Sequence, residues 1–157
     1  MNAASGEQGT TETNFASNWS MPANFLFTNK AIQVCGVFEL TTSATAPTLT
    51  VRFKFGTTNM AVTPASIPGN SYATRTMVEC ATFQGTAAPG ASVAVEAGFG
   101  PFGAAGTANS NYMNTVGQPV TGINTTAAIT VQISAQWGTA TAGNTIQLHQ
   151  FYVMELN

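Results

Sequence analysis

Residues 129 to 137, ITVQISAQW, alternate without interruption: Ile129, Val131, Ile133, Ala135 and Trp137 take every second position, with Thr130, Gln132, Ser134 and Gln136 between them. A period of two belongs to a strand with one buried face, because a helix would scatter those five apolar groups around its axis. The pattern recurs in TLTVRFKF (48 to 55), with Leu49, Val51, Phe53 and Phe55 inward and Thr50, Arg52 and Lys54 outward. It recurs again in ASVAVEAGF (91 to 99), where Val93, Val95, Ala97 and Phe99 oppose Ser92, Ala94 and Glu96. NFASNWS, AIQVCGVFEL, NMAV and SYATRTMVECATF are further strand segments bounded by turn-forming residues. Pro22 restricts the first of these to a sheet edge and parts it from NFLF (24 to 27). In SYATRTMVECATF the inward phase slips near Met77 and Val78, which predicts a bulge. Seven to nine strands and no helical period predict an all-β chain built as a sandwich or barrel.

The last segment, TIQLHQFYVMEL, follows a seven-residue loop, Gly138 to Asn144, and is expected to close a β-hairpin with residues 129 to 137. Strict alternation puts Ile146, Leu148, Tyr152 and Met154 on one face and Gln147, His149, Phe151 and Val153 on the other. Both faces then carry apolar groups, so the second is expected to meet another subunit, with His149, Phe151 and Val153 as the candidate interface.

Charge narrows the partners. Only 6% of the 157 residues are charged, against about 25% in an ordinary globular domain, so Thr, Ala, Asn, Gln, Ser and Gly must supply the surface. Such a surface has little like-charge repulsion and suits a chain packed against copies of itself or partners. The four bases, Lys30, Arg52, Lys54 and Arg75, are scattered and the net charge is −2, which argues against direct nucleic-acid binding. No run of 18 apolar residues suggests a membrane helix, and MNAASGEQGTTETNF lacks the charged and apolar regions of a secretory signal. Synthesis in the cytoplasm is therefore expected; Cys35 and Cys80 could bridge, but two cysteines in a chain of this length without a signal are more often free, buried and reduced. Residues 1 to 13 hold no large apolar group beyond Met1 and cannot offset the cost of ordering themselves. They read as an arm, with Met1, Asn2, Glu7, Gln8 and Glu12 as candidate docking residues, ahead of a single domain at 14 to 157.

The chemistry-bearing residues are few. GFGPFG (98 to 103) matches a dinucleotide fingerprint, but Pro101 and the glycines behind it open no helix and no acid lies between Glu96 and Glu155. His149 is the only histidine, and the chain contains no aspartate for a Ser-His-Asp triad. One histidine and two cysteines fall short of a structural zinc site. Glu39, Glu79 and Glu96 read as single carboxylates on solvated strand faces, Trp137 as a core residue, and Trp19 is open between core and ligand-stacking roles. No catalytic residue, cofactor or metal is expected.

The succession TETNFASNWSMPANFL, TLTVRFKFGTT and ITVQISAQWGTATAGNTIQLHQFYVMELN resembles a widespread group of structural proteins from tailed bacteriophages. Thr48 to Gly56 fit the group's T-L-T-V-x-x-x-F-G strand, and Val131 to Ile146 its closing V-x-W-G-T-A-x-A-x-N-T-I segment, with Ser134, Ala135 and Gln136 ahead of Trp137. The loop GFGPFGAAGTANSNYMNTVGQP departs from that pattern. The resemblance implies a jelly-roll-like antiparallel β-sandwich of about eight strands, frequently a trimer, in a virion component without catalytic residues. The expectation is a capsid decoration, or cement, protein bound as a homotrimer to the major capsid protein. The alternative is a receptor-binding or fibre-tip module of the tail that recognises a host surface glycan, and a carbohydrate-active enzyme ranks below both.

Overall fold

The computed structural model describes residues 10–43, 48–62, 75–86, 93–96, 119–120 and 123–157. Within them the chain forms nine strands: β1 Thr13–Met21, β2 Ala31–Thr41, β3 Leu49–Phe55, β4 Thr58–Val62, β5 Arg75–Gly85, β6 Val93–Glu96, β7 Pro119–Val120, β8 Ile129–Trp137 and β9 Thr145–Glu155. Two sheets result, one ordered β1-β8-β3-β4 and the other β7-β6-β5-β2-β9, with every strand pair antiparallel. This is the expected all-β sandwich, with one strand more than the eight anticipated because β6 and β7 are short additions at one edge. β1, β2 and β3 alternate between the sheets, β8 lies between β1 and β3, and β9 flanks β2 at the edge of the other sheet.

Alternation dictates the core. Leu49, Val51, Phe53 and Phe55 of β3 face Ile32, Val34, Phe38 and Leu40 of β2 across the sandwich, with Val131, Ile133 and Trp137 of β8 and Ile146 and Leu148 of β9 in the same cluster. Fully burying side chains of this size stabilises the fold by about 1.5–3 kcal/mol each before conformational entropy is counted. Phe83 of β5 touches both Phe53 and Phe55, with ring centroids 6.5 and 5.0 Å away, which ties the two sheets together at mid-core.

Several expectations need correction. The segments at 129–137 and 145–155 are not a hairpin, because β8 pairs with β1 and β3 while β9 pairs with β2 in the opposite sheet. Each strand has an apolar face to bury. A seven-residue connection can cross the ~10 Å between packed sheets, which a tight two-residue turn cannot. Gly143 takes φ 87° in that crossing, and the buried Asn144 accepts a 2.7 Å hydrogen bond from the Ser43 amide. NFLF is not a strand: Thr28 makes one isolated bridge to Gly85, and Phe27 packs its backbone so closely there that a Cβ on Gly85 would lie 2.2 Å from the Phe27 carbonyl oxygen.

The bulge expected near Met77 is absent. β5 pairs with β2 in unbroken register from Arg75 to Gln84, with Met77 and Glu79 inward and Val78 outward. Glu79 takes the inward position between Met77 and Ala81, so the alternation runs on unbroken with its side chain fully buried. Cys35 and Cys80 are not reduced thiols. They lie directly opposite one another on β2 and β5, with Cα atoms 4.1 Å apart, and form a disulfide. A separation of 45 residues hides that adjacency from the sequence, since register alone creates it.

Candidate functional site

β9 is the edge strand of its sheet, and its phase decides which groups a partner would meet. Leu148 pairs with Phe38 and Gln150 with Val37, which are adjacent on β2, so His149 is an extra residue bulged out of the ladder. Ile146 and Leu148 face the core before the bulge; after it the inward positions are Phe151 and Val153, which pack against the same cluster. Tyr152, Met154 and Leu156 are thereby left outside at 37%, 42% and 51% exposure. The expected interface set is therefore split. His149 does lie outward, with Nε2 3.4 Å from Glu39 Oε2, whereas Phe151 and Val153 turn inward and pack, half-buried, against the core. The signal was present in the sequence as two successive polar residues, His149 and Gln150, inside an otherwise alternating run.

The outer face of this sheet follows from the register. Tyr152 stands beside Cys35 and its disulfide partner Cys80, Met154 beside Gln33, and Gln150 beside Val37, which in turn neighbours the exposed Val78. On this face Val37, Val78, Tyr152 and Met154 lie around the disulfide, whose Cys35 is fully buried, with Gln33 and Gln150 among them and the Glu39–His149 pair at one end.

A second feature lies where β9 approaches β1, the edge strand of the other sheet. A cavity of about 380 Å³ opens there between Asn18 and Trp19 of β1, Phe25 of the following loop, and the Phe151–Val153 stretch of β9, with Ile32 at its floor and Glu155 at its rim. Trp19 is half-buried and meets Phe25 edge-on, centroids 5.3 Å apart and planes at 82°. The Lys30 ammonium sits 5.2 Å over the Phe25 ring and forms an ion pair with Glu155. Trp19 thus borders a cavity, while Trp137 is a core residue with no exposure.

Glu12 is placed on the sandwich itself. Its carboxylate accepts hydrogen bonds from Lys54 (2.5 Å) and Ser134 (2.8 Å) and lies 3.6 Å from Arg52, on the outer face of the four-stranded sheet. Burial alone would raise its pKa, but the bonds from Lys54 and Ser134 and the charges of Lys54 and Arg52 outweigh that and hold it below the ordinary value. Gln136 donates to the Thr10 carbonyl at 2.7 Å, so the last residues of the expected arm, from Thr10 on, are fastened to their own domain. Met1, Asn2, Glu7 and Gln8 lie outside the described residues, as do GFGPFG and the Gly-rich loop behind it. No family model, characterised protein or solved structure matches the chain.

Proposed function

We propose that the chain is a non-enzymatic structural protein of a bacteriophage particle, acting as a capsid decoration protein that binds the major capsid protein as a homotrimer. The observation that carries this reading is the outer face of the β5-β2-β9 sheet, where Val78, Tyr152 and Met154 are exposed around a disulfide. Three adjacent strands of eleven residues, about 4.8 Å apart and about 35 Å long, present on the order of 500 Å², a large part of the ~800 Å² per partner of a standard interface. The chain's 6% charge supports the same reading, because a surface with so little repulsion tolerates close neighbours. Binding only the assembled shell stabilises that shell by mass action, with no chemical step required. In this reading the N-terminal residues ahead of Thr10, including Met1, Asn2, Glu7 and Gln8, reach the capsid protein, and the strip around Tyr152 joins the subunits.

The aromatic cavity at the β1–β9 seam favours a second reading, a receptor-binding or fibre-tip module for a host surface glycan. Copy number in purified particles separates the two: hundreds of chains per particle indicate the shell, tens or fewer the tail. Absence of the chain from purified particles defeats both. His149→Ala and Glu96→Gln are expected to leave particle function intact apart from stability, and a glycan-cleaving activity lost in either variant would overturn the non-enzymatic assignment.

A further inference from the structure

The cavity between β1 and β9 has a chemistry that subunit packing leaves unused. Its walls are aromatic, Trp19 and Phe25 on one side and Phe151 on the other, while its rim carries an amide, Asn18, and a carboxylate, Glu155. Asn18 Nδ2 donates to the Ala16 carbonyl, which leaves Oδ1 without a partner among the described residues. Glu155 receives the Lys30 ammonium on Oε1, which leaves Oε2 in the same condition and cancels the charge at the rim. Its volume of about 380 Å³ falls at the lower end of small-molecule clefts, which run from about 300 to 1,000 Å³.

Each property excludes a class of ligand. An anion or cation finds no unmatched charge, because Lys30 and Glu155 already neutralise each other. A purely aliphatic ligand would take water from Asn18 and Glu155 and return no hydrogen bond, a loss for each group left unpaired. The remaining class has apolar C–H faces for the aromatic walls and neutral hydroxyl donors for the two acceptors. We propose that the cavity binds one ring of a neutral saccharide, packed against the Trp19 indole with hydroxyls donated to Asn18 Oδ1 and Glu155 Oε2. This is the site the second functional reading would use, but it rests on the cavity alone and holds equally for a shell protein.

The two tryptophans make the test direct, since Trp137 is fully buried and Trp19 borders the cavity. Titrating the full chain with glucose, galactose, N-acetylglucosamine and their short oligomers is expected to give a saturable change in tryptophan emission for at least one of them. Binding of that sugar, read by saturation-transfer NMR so that no fluorophore is needed, is expected to vanish in Trp19→Ala. It should weaken about tenfold in Glu155→Gln, which loses an acceptor of charge-assisted hydrogen bonds at an exposed rim position. Unchanged binding in both variants would place the sugar elsewhere and overturn the proposal. So would the absence of any response across the panel in chain that far-UV circular dichroism shows to be folded. Copy number in particles is read independently, so a tail protein that binds no sugar loses this site and keeps its location, and a sugar-binding shell protein does the reverse.

Discussion

Trp137 is the largest fully buried side chain and pairs with Leu49 across β8 and β3, at one end of the core. Trp137→Ala is expected to cost about 3–5 kcal/mol in a denaturant melt, and a loss below ~1 kcal/mol would mean that neighbours refill the site. Glu79 makes the opposite kind of statement. Its carboxyl is fully buried opposite Gly36, neither oxygen has a partner among the described residues, and burial pushes its pKa up to about 8. With a folded value above the unfolded one, the contribution to stability is complete below about pH 4.5 and falls as the unfolded chain releases a proton that the folded chain retains. The loss runs at about 1.4 kcal/mol per pH unit and reaches roughly 4 kcal/mol by pH 8. Thermal melts at pH 5 and pH 8 should therefore show a drop in the wild type that is much smaller in Glu79→Leu. Equal drops in the two proteins would place the charge in solvent. The inward positions of β3 and β8 were legible in the sequence because residue type and burial agree there. Glu79 was not, because residue type pointed outward and only the unbroken register with β2 points it inward.

At the scale of elements, alternation identified the long strands but not their partners. β8 and β9 each carry an apolar face, and that pattern is the same whether the two strands pair as a hairpin or face each other across a core. The crossing is decided by β1 and β3, which occupy both sides of β8, and by β2, which takes β9. A bulge of one residue then reverses every side chain beyond it, which is why Phe151 and Val153 changed places with Tyr152 and Met154. The disulfide is a product of the same level of organisation. It links β2 to the central strand β5 across a separation of 45 residues that includes β3 and β4, so it restrains the unfolded chain across a sheet change. Replacing Cys35 and Cys80 together by serine, or adding a reductant to the wild type, is expected to remove about 2–4 kcal/mol. A melting temperature unmoved by reductant would mean that the bond does not form in solution.

For the whole molecule, the relation between the two faces of the β5-β2-β9 sheet sets what the chain can join. The inner face is committed to the sandwich through Val34, Phe38, Ala81, Phe83 and Leu148, while the outer face leaves Val78, Tyr152 and Met154 exposed. The two faces can be tested separately because β9 contributes to both. Phe151→Ala removes a side chain packed against the core and is expected to lower the melting temperature, with a stability loss of up to about 3 kcal/mol since the ring is only partly buried. Tyr152→Ser combined with Met154→Glu touches only exposed positions and is expected to leave the melt of the isolated chain within about 0.5 kcal/mol for each change. Assembly should respond the other way round. Sedimentation of the wild-type chain at micromolar concentration is expected to give a trimer, retained by Phe151→Ala below its melting temperature and dissociated by the Tyr152/Met154 pair of substitutions, because a carboxylate in a desolvated strip has no cation opposite it. A wild-type chain that sediments as a monomer would remove the sheet face from the argument for self-association. A trimer indifferent to Tyr152→Ser and Met154→Glu would move the subunit contact to another surface while leaving the oligomer itself intact.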